Sequence, residues 1–463
     1  MDNLPEPFGA IPTDRQLAWH RLETYCFVHF TVNTFTDLEW GYGDESPSIF
    51  SPTAFDAAQI VDAARAGGLA GLIITAKHHD GFCLWPSRYT EHSIKNSTLA
   101  GRDIVGELSS ACAQAGLKFG VYLSPWDRNH AEYARPEYIE YYRNQLTELT
   151  SSYGELFEVW FDGANGGDGY YGGARETRQI DAKTYYGWSD TWRIVRENQP
   201  GACMFSDVGP DIRWVGNEKG IAGNPCWHTM DTEGFAPGDA SSDVLNRGVK
   251  HGPTWLPAEC DVSIRPGWFF HESENDQVRS PENLMDLYYK SVGRGASLHL
   301  NLPPDRRGRV HEIDVASLTA WYTRRRETFD TNILEGAQAR ADSERRGGFS
   351  AAAVVDGSPQ TVWATDDGVT QATITLTPRR PSALNVVEVR EHIQLGQRIE
   401  ELVVEVRVDG RWSEFGRCSS VGYRRLLTGK RCVPEALRVS VTAAASPIIE
   451  RIAAFNDSGL ADA

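Results

Sequence analysis

Between residues 25 and 328 the sequence alternates short apolar segments with longer amphipathic ones, and this alternation limits the fold more than any other feature. The apolar segment 71–75 precedes a helical pattern over 103–115 that ends at Gly116. After the apolar segment 118–124, large side chains recur at spacings of three and four, which places them on one helix face. They are Tyr138, Tyr142, Leu146, Leu149 and Tyr153. Strand and helix units in this order build a parallel sheet covered by helices.

The pattern changes near Arg340, where short segments with a period of two replace the strand and helix units. The four apolar side chains at even positions from 402 to 408 fall on one face of a strand, and Asp409-Gly410 follows as a hairpin turn. We therefore predict an α/β fold in two parts. The first is a (β/α)8-like TIM barrel over residues 1–335, irregular around its fifth to seventh strands. The second is an all-β sandwich over residues 340–463.

Composition excludes several classes of partner. The formal net charge of −17 argues against binding to nucleic acid or to an anionic membrane surface. No apolar run is long enough to span a bilayer, and the eight cysteines show neither a CxxC pair nor zinc-finger spacing. The first residues lack the basic and apolar regions of a signal peptide. We expect a periplasmic or secreted location if a leader was removed and a cytoplasmic one otherwise; the oligomeric state is not predicted.

Polar residues follow several predicted strands, at the end where a parallel barrel carries its chemistry. Asp162 follows the apolar run Val159-Trp160-Phe161 and precedes a glycine-rich turn. His29 follows the segment 25–28, and His78 and His79 follow the segment 71–75. A carboxylate at a strand end is a candidate nucleophile, although Asp-Gly also starts ordinary turns. We predict that these side chains meet at one mouth of the barrel.

Together with the polar segment Arg213-Trp214-Val215-Gly216-Asn217-Glu218, these motifs resemble the α-L-fucosidases of glycoside hydrolase family 29, over roughly residues 29–301. The resemblance implies hydrolysis of a glycosidic bond by two carboxyl groups, with retention of configuration through a covalent fucosyl-enzyme. It assigns the nucleophile to Asp162. It assigns the acid/base to Glu218, which stands in the family's Arg-Trp-x-Gly-Asn-Glu motif.

Glu259 is the alternative acid/base, because this position shifts between subgroups of the family. Its neighbour Asp261 weakens that alternative, since two nearby carboxylates suggest a hydrogen-bonding network with Arg265. The sequence leaves the choice between Glu218 and Glu259 open.

The resemblance also implies a set of sugar-binding side chains. His29, His78 and His79 would hydrogen-bond hydroxyl groups, donating from one ring nitrogen and accepting at the other. Trp268 would contact the methyl group of fucose, although a Trp in a barrel is more often core. The other members of the predicted binding set are Glu39, Trp40, Tyr122, Trp126, Arg213 and Arg265.

Two possible metal sites arise from the sequence. His78, His79 and Asp80 could be read as ligands, but adjacent strand residues point to opposite faces and rarely bind one ion together. We therefore predict no metal there and no required cofactor. The pattern Asp356-Gly357 followed by Thr361-Val362-Trp363 is similar to discoidin and carbohydrate-binding modules, which implies a structural calcium in the sandwich. The alternative is a sandwich that packs on the barrel without a ligand.

The resemblance extends to substrate choice. Asn217-Glu218 and the run 263–268 are similar to the subgroup restricted to α-1,3 and α-1,4 fucosyl linkages on branched, Lewis-type glycans. The predicted partner is accordingly a fucosylated oligosaccharide or glycoconjugate. The alternatives are a broad α-L-fucosidase active on simple fucosides, a barrel hydrolase for another sugar such as an α-L-galactoside, and a non-catalytic protein that binds fucosylated glycans.

Overall fold

The computed structural model of the chain describes residues 3–460. Eight parallel strands close into a barrel in the order β1-β8-β7-β6-β5-β4-β3-β2, which confirms the predicted barrel. The strands are β1 (Thr24–Val28), β2 (Gly71–Lys77), β3 (Lys118–Leu123), β4 (Glu158–Trp160), β5 (Cys203–Ser206), β6 (Ile212–Trp214), β7 (Ala258–Ser263) and β8 (Ser297–Asn301).

Eight α-helices belong to this part of the described chain, besides the single turn Asn33–Thr36 in the loop after β1. They are α1 (Asp14–His20), α2 (Ala57–Ala66), α3 (Ile104–Ala115), α4 (Pro136–Ser152), α5 (Trp188–Asn198), α6 (Ser242–Arg247), α7 (Pro281–Lys290) and α8 (Glu312–Phe329). Local sequence sets their ends. The carboxylate of Asp103 caps α3 by accepting from the Gly106 N–H, and Gly116 ends that helix with a φ of 72°.

The barrel is irregular between its fifth and seventh strands, as the Gly- and Pro-rich sequence predicted. Only residues 207–211 separate β5 from β6, and no α-helix lies between them. The sequence did not reveal β6 or β7 as strands, because β6 has three residues and β7 carries Glu259 and Asp261. Charged side chains in a strand hide its apolar pattern when they face the barrel interior rather than the helices.

The two-residue period of a strand explains how the site is built. In β4 the alternate residues Val159 and Phe161 pack in the core between strands and helices. Trp160 instead belongs to the core inside the barrel, and Glu158 is buried on the same side, where it hydrogen-bonds Trp19. The next interior position is Asp162. Strand β4 and the two residues after it therefore place Glu158, Trp160 and Asp162 in order from the barrel floor to its mouth.

After the barrel the chain forms two antiparallel sheets, which match the predicted all-β sandwich. The strands are β9 (Gln338–Ala341), β10 (Trp363–Ala364), β11 (Gln371–Thr377), β12 (Leu384–Glu391), β13 (Ile399–Val408), β14 (Arg411–Cys418), β15 (Arg425–Cys432), β16 (Ala436–Ala443) and β17 (Ile448–Phe455). One sheet has the order β9-β11-β16-β13-β14 and the other β10-β17-β12-β15. The hairpin predicted at Asp409-Gly410 is confirmed, with φ values of 50° and 74°.

The sandwich packs against the amino-terminal face of the barrel, away from the mouth. Glu23, the residue before β1, forms ion pairs with Arg390 at 3.0 Å and with Arg424 at 2.6 Å. Near the end of α8, Arg324 forms an ion pair with Asp457 at 2.9 Å. Because these pairs are largely buried, they fix the sandwich on a surface that leaves the carboxyl ends of the strands free.

Two further expectations concern membranes and calcium. Within residues 3–460 no helix is long and apolar enough to cross a membrane. At the turn proposed for calcium, the carboxylate of Asp356 accepts from the Ser358 N–H at 2.8 Å and the Thr361 hydroxyl at 2.8 Å. No cluster of three or more His, Cys, Asp or Glu side chains in the described chain could hold a metal ion. The residues at this turn therefore do not fit a carboxylate cage, and the calcium stays a prediction.

Candidate active site

A cavity of about 320 Å³ opens at the carboxyl ends of the barrel strands. The structure brings together eight of the predicted site residues in its wall: His29, Glu39, Trp40, His78, His79, Asp162, Glu218 and Trp268. Because they come from several different loops, only the closed barrel places them side by side.

Asp162 presents an anchored carboxylate to this cavity. Its Oδ1 accepts from the backbone N–H of Ala164 at 2.7 Å, and its Oδ2 accepts from the hydroxyl of Tyr122 at 3.1 Å. Burial raises the pKa of Asp162 above its usual value, while these two hydrogen bonds oppose that change because they favour the ionised form. The side chain is 24% exposed, so a substrate in the cavity can reach it.

Glu218 has a different environment. It lies in the loop after β6, at the open side of the cavity, and the indole N–H of Trp268 donates to it. Partial burial and the negative charges of Asp162 and Glu39 raise its pKa above the usual value. A carboxyl group in this setting keeps its proton to a higher pH than a solvated one, which suits a general acid.

The histidines of the cavity are neutral, and the hydrogen bonds around two of them fix the tautomer. His29 Nδ1 lies 2.8 Å from Oδ1 of Asn301, and His79 Nδ1 lies 2.7 Å from Oγ of Ser124, whose hydroxyl donates to a backbone carbonyl. In both histidines Nδ1 therefore carries the hydrogen and Nε2 is an acceptor. Burial lowers the pKa of His29 and His79 to about 3 and that of His78 well below its ordinary value.

His78 and His79 do not point to opposite faces, contrary to the prediction. Strand β2 ends at Lys77, so strand alternation does not apply to the two residues after it. Their ring centroids are 4.1 Å apart, and both side chains line the cavity. Asp80 is fully buried behind them, where its carboxylate accepts from the Thr31 hydroxyl at 2.9 Å and the Phe82 N–H at 2.7 Å.

Glu39 fixes one wall of the cavity. Its carboxylate accepts from the backbone N–H groups of Trp268 at 2.8 Å and Phe269 at 3.1 Å, and lies 2.7 Å from His271 Nε2. The next residue, Trp40, is 53% exposed at the rim, and its ring meets that of His79 edge-on at 5.2 Å. The loop after β1 thus contributes a hydrogen-bonded carboxylate and an exposed aromatic surface.

Aromatic rings form the apolar part of the cavity. The Trp268 ring lies 5.2 Å from that of His29 and 6.4 Å from that of Phe27. Phe27 packs edge-on against Trp160 at 4.9 Å, and all three aromatic side chains line the cavity. This wall is an apolar surface against which a methyl group can pack.

Tyr122 and Trp126 lie behind the cavity wall. Tyr122 is fully buried, and its hydroxyl reaches Asp162. Trp126 is 2% exposed, packs against the ring of His79 at 5.1 Å and donates its indole N–H to the Tyr171 hydroxyl at 3.0 Å. Both therefore support side chains that face the substrate space.

The structure does not support a substrate contact for either predicted arginine. Arg213 is fully buried outside the cavity and donates to the backbone carbonyls of Leu245 at 2.8 Å, Trp227 at 2.9 Å and Leu256. Arg265 is equally buried, and its guanidinium pairs with Asp314 at 2.9 Å. The network expected between Arg265 and Asp261 is absent from the described contacts, because Arg265 points toward α8.

Glu259 is also corrected as an acid/base alternative. It is fully buried in the barrel interior and does not line the cavity. Its Oε1 accepts from the indole N–H of Trp160 at 2.8 Å, and that indole belongs to the cavity wall. A sugar in the cavity is thus separated from Glu259 by a tryptophan ring.

Sequence reasoning missed two carboxyl groups of the cavity, Asp207 and Asp261. Asp207 directly follows β5, and its Oδ2 accepts from the Gly238 N–H at 2.8 Å; burial raises its pKa to about 6. Asp261 lies on β7, two residues after Glu259, and burial raises its pKa well above the usual value. Strand alternation could have revealed both residues. Phe205 and Glu259 face the barrel interior, so the residues two positions later, Asp207 and Asp261, face the same way.

Comparisons with known proteins agree with this geometry. A sequence model of the α-L-fucosidase family matches residues 14–323. Alpha-L-fucosidase 1 of Arabidopsis thaliana is 40% identical over 432 residues, which cover 91% of this chain and 82% of the plant protein. The crystal structure of a glycoside hydrolase 29 family member from an unknown rumen bacterium has 40% identity and a TM-score of 0.87, covering 98% of this chain and 79% of that one. A Ruminococcus gnavus GH29 fucosidase in complex with fucose has 30% identity and a TM-score of 0.86, covering 99% and 97%.

Proposed function

Because the chain belongs to the α-L-fucosidase family of glycoside hydrolases, we propose that it releases terminal L-fucose through Asp162 and Glu218, with retention of configuration at the anomeric carbon. One observation carries the proposal. A carboxylate held by two hydrogen-bond donors and a carboxyl group with a raised pKa line the same cavity. Burial raises both pKa values, but two donors favour the ionised form of Asp162, whereas the charges of Asp162 and Glu39 favour the protonated form of Glu218, as a nucleophile and a general acid require.

In the first step Asp162 attacks the anomeric carbon of fucose. The bond from that carbon to the oxygen of the leaving sugar breaks, and Glu218 gives its proton to this oxygen. The products are a fucosyl ester of Asp162, a free acceptor sugar and an ionised Glu218. The hydrogen bonds from Tyr122 and Ala164 hold the attacking carboxylate in place before the bond forms.

In the second step water hydrolyses the ester. Glu218, now a carboxylate, takes a proton from water as its oxygen bonds to the anomeric carbon, and Asp162 leaves as a carboxylate. The loss of the negative charge of Asp162 in the intermediate lowers the pKa of Glu218, since that charge raises it in the free enzyme. The change prepares Glu218 for its role as a base.

The fucose ring would sit among the histidines. Nε2 of His29 and His79 are acceptors for sugar hydroxyls, and the buried Nδ1 of His78 has no partner among the described residues. The methyl group would contact the aromatic wall of Phe27 and Trp268. Neutral imidazoles suit a neutral sugar, because they bind hydroxyls without adding charge beside Asp162.

We assign the substrate to α-1,3 or α-1,4 fucosyl linkages on branched, Lewis-type oligosaccharides. Two residues that line the cavity support this. Trp40 exposes more than half of its surface, and Asp207 offers a carboxyl oxygen beside Gly163, the neighbour of the nucleophile. A branching sugar would gain contacts here that an aryl group lacks, so its binding energy would contribute to the rate.

The test compares fucose release from a Lewis-type trisaccharide and from an aryl α-L-fucoside at matched concentrations. Release from the trisaccharide with little from the aryl fucoside would support the branched linkage. Comparable release from both would leave α-L-fucosidase activity in place and refute the restriction. An Asp162→Asn variant, which should release no fucose from either substrate, serves as the blank.

A further inference from the structure

Below the cavity lies a pair of buried carboxyl groups that the proposed reaction does not use. Glu158 and Glu259 are both fully buried in the barrel interior. They are linked through Trp19, whose indole N–H donates to Glu158 at 3.0 Å and to the Tyr25 hydroxyl at 2.8 Å, and through that hydroxyl, which donates to Glu259. Since burial away from water disfavours the ionised form of each carboxyl group, the one with fewer hydrogen-bond donors is expected to keep its proton.

The donors around the pair show where the proton lies. Glu259 accepts from the Tyr25 hydroxyl, from the Trp160 indole N–H at 2.8 Å and from His299 Nδ1, which lies 3.1 Å away. Glu158 accepts from Trp19 at 3.0 Å, and its Oε1 has no hydrogen-bond partner among the described residues. An ionised carboxylate needs donors and a protonated one supplies its own. Glu259 is therefore the carboxylate and Glu158 the protonated partner, which agrees with the lowered pKa of Glu259 and the raised pKa of Glu158.

The groups that Glu259 holds support the substrate space above it. Trp160 lines the cavity and stacks on Phe205 at 4.2 Å. It also lies 5.3 Å from Tyr122, the residue that hydrogen-bonds Asp162. The ring of His299 stacks on Phe27, another cavity residue, at 4.0 Å. Of the three donors to Glu259, Trp160 thus forms part of the cavity floor and His299 packs against it.

We propose that Glu259 is a positioning residue for the fucosidase reaction, whose carboxylate fixes the Trp160 indole as the floor of the sugar pocket, with Glu158 as its protonated partner. Glu259 does not touch the substrate, because the indole lies between them. The inference rests on the proposed function of the cavity. The charge of Glu259, which the sequence offered as an alternative acid/base, thereby has a structural role.

Isosteric substitutions test the inference in the full-length chain. Glu259→Gln replaces the acceptor of three donors with an amide, and we expect kcat/KM on the trisaccharide to fall by about tenfold to a hundredfold as the indole moves. Glu158→Gln is the matched control. Its amide oxygen can still accept from Trp19, and Glu158 has no hydrogen bond to a cavity residue among the described contacts, so kcat/KM should stay within about threefold of wild type.

A double-mutant cycle separates positioning from general destabilisation. Trp160→Phe removes only the indole N–H and part of the ring, so it should reduce kcat/KM alone but have little further effect in the Glu259→Gln background. Near-UV circular dichroism should report the loss of the fixed indole in Glu259→Gln and not in Glu158→Gln. If Glu259→Gln does not fold, Trp160→Phe and Glu259→Asp, which keeps the charge, carry the test: the first should lose activity and the second should retain most of it.

Several outcomes would overturn the inference. These are additive effects of Glu259→Gln and Trp160→Phe, equal losses in the two glutamine variants, or wild-type activity in Glu259→Gln. Failure of the proposed function is distinguishable, since it would appear as full activity in Asp162→Asn or as no fucose release by the wild-type enzyme. The cycle is interpreted only on a wild-type enzyme whose activity depends on Asp162.

Discussion

The hydroxyl of Tyr122 donates to Oδ2 of Asp162 at 3.1 Å. Tyr122 is the last residue but one of β3. Its side chain is fully buried and packs against the ring of Trp160. The donor is therefore held before any substrate arrives. Since a hydrogen bond to a carboxylate favours the ionised form, this contact favours the form of Asp162 that the proposed nucleophile requires.

Replacement of Tyr122 by Phe should move the acidic limb of the activity profile. Without the hydroxyl the pKa of Asp162 rises further, so the ionised form is lost at a higher pH during acidification. A hydrogen bond to a charged group contributes about 1.5–3 kcal/mol, which corresponds to a shift of about one to two pH units. The measurement is kcat/KM for fucose release as a function of pH, and an unchanged acidic limb would show that this contact does not act on the nucleophile.

Replacement of Trp268 by Phe should move the alkaline limb of the activity profile. Its indole hydrogen bond lowers the pKa of Glu218, so removing it raises that pKa and keeps the acid protonated to a higher pH. The alkaline limb of kcat/KM should therefore shift upward, by about one pH unit. Tyr122→Phe is the internal control, because it should leave the alkaline limb unchanged. A shift of the acidic limb in Trp268→Phe would contradict the assignment of Glu218 as the acid.

Arg213 should matter for stability rather than for substrate binding. Arg213→Met leaves three buried backbone carbonyls without their donor, and we expect the free energy of unfolding to fall by about 2–4 kcal/mol. KM of the folded enzyme should stay within about twofold of wild type. Arg193→Met is the control, because Arg193 has 63% of its side chain exposed and should change stability by less than about 0.5 kcal/mol. A large rise in KM with unchanged stability would restore Arg213 as a substrate contact.

Much of this fold could be predicted because the strands are apolar on the side that faces the helices. The pattern around Gly71–Lys77 and Lys118–Leu123 is of this kind, and both strands lie near the predicted positions. β6 and β7 could not be predicted from the same signal. Three residues are too few to show a period, and β7 places Glu259 and Asp261 on an interior face that tolerates carboxyl groups only because specific donors surround them.

The candidate site was predictable where a single residue marks a strand end, as at Asp162 and His29. It was not predictable where long side chains turn away from the cavity. Arg213 and Arg265 stand in motifs beside site residues, but their guanidinium groups reach backbone carbonyls and Asp314 outside it. Nothing in a sequence motif reports which way such a side chain points. Asp207, by contrast, was not predicted as a site residue, although it follows β5 as Asp162 follows β4.

Asp162 is the residue that we propose to form the covalent fucosyl-enzyme. The most direct measurement is incubation with a 2-deoxy-2-fluoro-α-L-fucosyl fluoride, which slows hydrolysis of the intermediate, followed by peptide mass spectrometry. We predict time-dependent inactivation with one fluorofucosyl group on the peptide that contains Asp162, and no labelling in Asp162→Asn. Labelling of Asp207 or Asp261 instead, or no adduct on an enzyme that actively releases fucose, would contradict the account.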